Sequence, residues 1–600
     1  MSDNINQTKG GVSFGKIMLA SGVGTLIVLI LVGLFKLSVV LGLVSSLSKS
    51  DDAMKPLHNT FLKLDLTKPM CERSPSELVS YMDHSCVVGF NDLIRSIEAA
   101  ACDDNIGGIY LYMGSGFPFS WGQSEELREA LIDFCGSGKP ILAYADAYSQ
   151  QGYFVASVAD SIYLNPSGMV DFKGICAQSL FFKEMLDKLA VKMTLIRPQS
   201  NNYKSAGETY TMNHFSDANK EQLREYINSI WDYVVERISE ARDIEPDKLE
   251  EMADNLGGVM PNGALANNLV DRLCFESDIR ETLNTSYNST HVIELKKYSK
   301  TLKNNISTNE SIAIIYAEGD VNIGNGYNTA IYSDKLSKAI NDAANDDNIK
   351  AIVLRVNSPG GMVTASEIIT NAVMRAKEKK PLVVSMSDVA ASAGYEISCN
   401  ADYILAQPTT ITGSIGVFAT LPEIGGTLRR YLGITSDTIK TNKNSSALSI
   451  LHPLSPEALE LMQSNVEDFY KVFVQRVATG RGLDYDYVDS IARGRVWTGR
   501  DALKLGLVDA LGGLDDAVAI AAERAGIEKY RVIDFPAQEN TFSELMNMKD
   551  QSAGSIEEKS PYTMKSDGVW MNGNLVVKNL EQICETRGLQ ARVEFFIINE

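Results

Sequence analysis

Two tandem α/β modules behind an N-terminal membrane helix are the architecture this sequence predicts. Three observations lead there: a charge-free span near the start, a long internal repeat, and apolar β-rich runs alternating with helical ones. The chain has 600 residues, 44% of them hydrophobic, too many for one ordinary core. Lys and Arg number 56 against 76 Asp and Glu, a formal charge of -20. Such a surface repels a phosphate backbone, so no nucleic-acid partner is expected.

The first element is the membrane helix. From Ile17 to Phe35 there is no charged residue. A helix rising about 1.5 Å per residue carries that stretch roughly 28 Å, close to the hydrocarbon thickness of a bilayer. A cleaved signal peptide has a shorter apolar core and an A-x-A site close behind it, so the segment reads as a retained anchor at 17–44, after a short cytoplasmic segment at 1–16. Lys9 and Lys16 precede the span while Lys36 and Lys49 come after it, which gives a weak positive-inside preference for a cytoplasmic N-terminus. No other stretch is long and apolar enough to span, so the chain beyond residue 50 is expected on one side of the membrane.

The modules come next. "AAACDDNIGGIYLYMGSG" (99–116) is answered by "DAANDDNIKAIVLRVNSPGG" (342–361), "KPILAYADAYSQQGYFVASVADSIYLNP" (139–166) by "KPLVVSMSDVAASAGYEISCNADYILAQP" (380–408), and "NGALANNLVDRL" (262–273) by "TGRDALKLGLVDAL" (498–511). Three collinear matches at offsets of about 236 to 243 residues mark a duplication. The first module is placed at 55–283 and the second at 311–535. The polar stretch 284–310 reads as a linker, and 536–600 as a C-terminal extension with a flexible loop. Within the modules, runs such as "SIAIIYAEG" and "AIVLRVN" alternate with helical runs such as "TASEIITNAVMRAKEKK", which argues βα units on a largely parallel sheet. The eight cysteines include no C-x-x-C pair and no zinc spacing, and most read as small buried hydrophobes; Cys71 and Cys86 are close enough in sequence for a local disulfide on an oxidising side.

The candidate chemistry lies in the second module, at "SMSDVAASAGYEIS" (385–398), where an apolar strand gives way to a helix-like run. Ser392 there sits near a helix start, whose free N–H groups favour the negative charge of acyl transfer, although a serine among small residues is more often packing. At the same place the first module has Gln150. Upstream, "NSPGG" (357–361) offers Gly360 and Gly361, whose N–H groups can approach a carbonyl oxygen; a plain turn is the simpler reading. None of the five histidines (58, 84, 214, 291, 452) lies in a segment matched between the copies, so a base other than histidine is needed. A lysine kept neutral by burial serves, at a cost of roughly 3 to 5 kcal/mol for bringing its pKa to about 7 or 8.

In combination, "RVNSPGGMVTASE", "AASAGY", "TGSIGVF" and "VWTGRDALKLGLVD" resemble the signal peptide peptidase (protease IV) family in its long, duplicated form, over about residues 55–535. The resemblance implies crotonase/Clp protease-like modules and a serine endopeptidase with a Ser/Lys dyad that needs no metal or cofactor and hydrolyses signal peptides released from preproteins. It implies residence in the bacterial inner membrane as a single-pass protein, with the catalytic part on the periplasmic side, and a homotetramer forming a bowl over the membrane. It places the nucleophile on Ser392, the general-base lysine on Lys204 of "NNYKSAGETY", the lysine-orienting serine on Ser414, and the oxyanion element on Gly360 and Gly361, Gly361 being the preferred donor. Met362 departs from the family, where a small residue is usual, and is expected to alter the pocket lining. The second module has "NKNSSALS" (442–449) opposite "NNYKSAGE", so each copy keeps half of a dyad. Two other functional classes remain at this stage: a crotonase-type acyl-CoA hydrolase, which shares the oxyanion logic but explains neither anchor nor split dyad, and a non-catalytic membrane scaffold.

Overall fold

The computed structural model describes residues 55–75, 88–302, 308–326 and 330–537, together with the backbone of 589–592. The anchor expected at 17–44 lies outside the described residues, and among those described no helix is long and apolar enough to cross a membrane.

The first module is built on β1 (Thr60–Asp65), β2 (Ile106–Gly114), β3 (Ile141–Tyr148) and β4 (Ser161–Val170), edged by β6 (Arg272–Leu273) and β7 (Val292–Glu294). Their order is β6-β4-β3-β2-β1-β7, and every pair is parallel. The second module repeats it with β8 (Ser311–Glu318), β11 (Ile349–Ser358), β13 (Leu382–Ala391), β14 (Tyr403–Ala406), β18 (Ala510–Leu511) and β19 (Arg531–Asp534), in the order β18-β14-β13-β11-β8-β19. Here β15 (Ile411–Gly413) continues the β14 edge along β13, and β17 (Val496–Thr498) lies antiparallel to β15. Parallel strands joined by crossover helices are covered on both faces, which is why β11 is buried along most of its length and reads as a nearly unbroken apolar run.

A third, mixed sheet ties the copies together. Its order is β10 (Ile331–Tyr332), β9 (Val321–Asn322), β12 (Gly360–Met362), β20 (Leu589–Arg592), β16 (Phe418–Glu423) and β5 (Lys192–Ile196). Only β5 comes from the first module. Each module also carries a 26-residue helix, Asp217–Arg242 and Pro456–Arg481, capped by Ser216 and Ser455 through hydrogen bonds from Asn219 N and Ala458 N, and stopped by the left-handed residues Asp243 and Gly482. The first of these helices reaches across to the second module, where Tyr226 Oη donates to Thr409 O at 3.4 Å and Ser229 Oγ to an Asp501 carboxylate oxygen at 2.9 Å.

Two expectations need correction. The polar stretch 284–310 is not simply a linker: β7 pairs with β1, and Leu295 and Tyr298 of the next helix are buried, so the first module runs on to about residue 299. A three-residue edge strand pairs through its backbone and needs only Ile293 buried, so polar neighbours conceal it. The extension 536–600 is not wholly outside the fold either, since β20 pairs antiparallel with both β12 and β16; residues 538–588 and 593–600 lie outside the described residues.

At the junction of the modules sits a buried ion cluster. Arg355 on β11 donates through Nε to Glu72 at 2.9 Å, through Nη2 to Glu126 at 2.6 Å, and through Nη1 to Ser385 Oγ at 2.9 Å. Burial pushes the Glu126 carboxyl above its usual range and Arg355 pulls it back, while the two carboxylates keep the guanidinium firmly charged. Asp388, on β13, accepts from Gln123 N at 2.8 Å. The first module thus holds the two strands of the second that lead to "NSPGG" and to Ser392.

Candidate active site

Strand β13 ends at Ala391, and Ser392 comes next with φ 56° and ψ -116°, a conformation that costs a non-glycine residue strain. The turn is pinned from both sides: Ser392 N donates to Gly413 O at 2.8 Å and Glu396 N donates to Ser392 O at 2.8 Å. Ser392 is wholly buried, and its Oγ lies 3.4 Å from the carbonyl of Gly416.

Lys204 arrives from the first module by way of β5. That strand pairs antiparallel with β16, Ile196 opposite Ala419, and the chain then turns back toward the second sheet. Lys204 is 1% exposed. Its Nζ donates to Ser392 Oγ at 2.7 Å, Ser414 Oγ at 3.0 Å and Ser414 O at 3.1 Å. The three N–H groups of an ammonium head satisfy all three oxygens, whereas a neutral amine keeps two N–H groups for the Ser414 oxygens and turns its lone pair to the Ser392 hydroxyl. Ser414 too has a positive φ, 49°, and its N–H donates to Arg495 O at 2.7 Å. Thus Ser392, Lys204 and Ser414, drawn from positions far apart in sequence, meet in one buried spot between the copies.

The supporting residues were not visible in the sequence. Arg197 Nη1 donates to Lys204 O at 2.7 Å and lies 3.5 Å from Glu208, which fixes the lysine's backbone. Gly494 is packed directly on that backbone: a Cβ there would stand 2.4 Å from Lys204 Cβ and 2.6 Å from Lys204 N, and its φ is +80°. Gly494→Ala therefore forces the lysine to move and adds a left-handed alanine, itself about 1 to 2 kcal/mol. We expect the variant to fold, by circular dichroism, while peptide turnover falls on the order of 100-fold, the effect of roughly an ångström of misplacement.

The glycine pair lies beside the serine. Gly394 lets the turn after Ser392 pack on the "NSPGG" backbone, since a Cβ there would come within 2.6 Å of Ser358 O. Gly360 N donates to Ser358 Oγ at 3.2 Å, so its hydrogen bond is already committed. Gly361 is held against Val321 so closely that a Cβ would meet Val321 O at 2.2 Å. Met362 is half-buried and packs on the core of the second module. The histidines are elsewhere: His58, His214 and His291 are exposed, His452 bonds to Thr438 at 3.1 Å, and His84 lies outside the described residues.

In the first module the same frame is closed. Gln150 stands where Ser392 does, and its amide Nε2 donates to Gly174 O at 2.8 Å while its Oε1 accepts from Gly174 N at 2.9 Å. Gly174 is the counterpart of Gly416, so the glutamine seals the loop that the serine only touches.

Known proteins resemble this chain along most of its length. The peptidase family S49 model matches twice, over residues 133–289 and 374–528, and the Clp protease model matches 303–411. The chain is 37% identical to Protease 4 of Salmonella typhi, over 79% of this chain and 78% of that one. It is 34% identical to Protease 4 of Haemophilus influenzae over 71% of each, and 28% identical to the chloroplastic serine protease SPPA of Arabidopsis thaliana over 84% of this chain and 73% of the other. A duplicated module with a Clp protease-like α/β fold, matched along most of its length by named serine proteases, makes this chain a serine protease of peptidase family S49.

Proposed function

We propose that Ser392 is the nucleophile and Lys204 its base, in a membrane-anchored endopeptidase that hydrolyses signal peptides released from preproteins. The observation that carries this reading is the 2.7 Å contact between Lys204 Nζ and Ser392 Oγ in a buried enclosure. Desolvation there penalises the ammonium form, and a neutral amine takes the hydroxyl proton as the oxygen attacks a peptide carbonyl. The acyl-enzyme is then hydrolysed by a water that the same amine activates. Ser414 orients the amine, and the Gly361 N–H stabilises the oxyanion, with Gly360 N–H already engaged by Ser358.

A peptide is favoured over an acyl-CoA by β20. An extended segment lies antiparallel between β12 and β16, with Gly361 opposite Ala591 and Phe418 opposite Gln590. The groove beside the serine therefore suits main-chain pairing, the way extended peptides bind. Mass mapping of the products from a panel of signal peptides tests the reading: defined internal cuts, lost in Ser392→Ala, support it, and acyl-CoA hydrolysis without peptide cleavage contradicts it.

The anchor at 17–44, the periplasmic placement of the catalytic part and the homotetramer belong to the same proposal. The charge-free span at 17–35 supports the anchor, as location and not chemistry. Removing residues 1–48 is expected to leave a soluble protein that cleaves peptides at an undiminished rate, measured in a detergent-free peptide assay. A folded but inactive truncation would make the anchor part of the site.

A further inference from the structure

One short loop of the second module, Arg493 to Arg495, holds both sides of the lysine contact. Arg495 O accepts from Ser414 N at 2.7 Å and Ile415 O accepts from Gly494 N at 2.8 Å, which extends the pairing of β15 with β17 to the serine that meets Lys204 Nζ. On its other side, Arg493 O accepts from Tyr203 N at 3.2 Å, one residue before the lysine. Any shift of the loop therefore displaces Ser414 relative to Lys204. Arg493 and Gly494 both have left-handed backbones, with φ 54° and 80°, and a strained turn keeps its shape only where its neighbours hold it.

The Arg495 side chain does the holding. Its guanidinium carbon lies 4.6 Å from the ring centre of Tyr203 and 4.6 Å from that of Trp497. Nη1 donates to Glu221 at 3.1 Å and Nη2 donates to Glu225, the two standing one turn apart on the first-module helix Asp217–Arg242. Tyr203 Oη donates to the same Glu221 oxygen at 3.0 Å. Gln222 of that helix accepts from Val496 N at 3.3 Å and donates to Tyr203 O at 2.9 Å. The arginine side chain is 13% exposed against 49% and 57% for its glutamates, so the ion pairs by themselves add little stability. A planar cation fixed by two rings and two carboxylates supplies orientation.

We propose that Arg495 is a positioning residue for the reaction: it fastens the Arg493 to Arg495 loop to the first module's helix, and through that loop sets Lys204 against Ser414 and Ser392. This role rests on Lys204 being the base.

Steady-state cleavage of a fluorogenic peptide and the rate of fluorophosphonate labelling at Ser392, both on the full chain, test it. Arg495→Ala is expected to fold, by circular dichroism, and to lower kcat and the labelling rate on the order of 100-fold with KM little changed, since only the reacting geometry is lost. Added to Lys204→Ala, it should slow labelling by less than about twofold more, because it acts through the lysine. Arg500→Ala breaks a different contact of the same helix with the second module, Arg500 to Glu236 at 3.1 Å, and should leave turnover unchanged. If Arg495→Ala does not fold, Glu221→Gln with Glu225→Gln loosens the same clamp from exposed positions and is expected to cost roughly tenfold in kcat. Parent rates in Arg495→Ala, or in the glutamine pair where that is used, would overturn the positioning role. So would an equal loss in Arg500→Ala, or an undiminished effect of Arg495→Ala in the Lys204→Ala background. Labelling of Ser392 that proceeds at the parent rate in Lys204→Ala would overturn the lysine as base, and the positioning role with it.

Discussion

Ser392→Ala and Lys204→Ala are each expected to lower peptide turnover by roughly four orders of magnitude or more, and the double variant to be little worse than either. The reason is geometric. The two side chains share one hydrogen bond of 2.7 Å, so removing either removes the contact through which the proposed base acts. Neither module can compensate from its own sequence: Gln150 offers no hydroxyl and is fastened to Gly174, and the matching stretch of the second module carries no lysine in a buried place. Steady-state rates on a fluorogenic peptide measure the effect. A double variant markedly slower than both single ones would show that the residues act separately.

The second large effect is expected on stability. Arg355→Ala leaves Glu72 and Glu126 buried without their cation, and breaking a buried pair from one side costs about 3 to 5 kcal/mol. Because Arg355 lies on β11 and bonds Ser385 on β13, the loss falls on the strands that lead to the glycine pair and to Ser392. We expect the urea midpoint to drop and activity to fall with it at denaturant concentrations that leave the parent intact. Arg355→Ala combined with Glu72→Gln and Glu126→Gln should recover part of the stability, since amides are cheaper to bury unpaired than carboxylates. No recovery would mean that packing, not charge, is what Arg355 supplies.

Much of this architecture could be read before any coordinates. The duplication, the parallel sheets and the complementary pair Ser392 and Lys204 come from collinear matches and from a family pattern that falls on those positions. What stayed hidden is backbone geometry. Nothing local in "ARGRVWTG" announces that Gly494 must lie against Lys204, because that requirement arises from a chain segment almost 300 positions away. The edge strand β7 was concealed for the opposite reason: it buries one residue, so its sequence has no periodicity to detect. Arg355 did leave a signal, a lone charge inside the apolar run "AIVLRVN", which is unusual for a strand covered on both faces. Its partners could not be inferred, because Glu72 and Glu126 come from the other module.

The proposed mechanism requires that a serine of one repeat be activated by a lysine of the other. Mass spectrometry of fluorophosphonate labelling, tracked in time and across pH, tests it most directly. A single adduct on Ser392 is expected, forming more slowly toward acid as the amine takes up its proton, and at least roughly a thousandfold more slowly in Lys204→Ala. An adduct on another serine, or one that forms on Ser392 at an unchanged rate without Lys204, would contradict it.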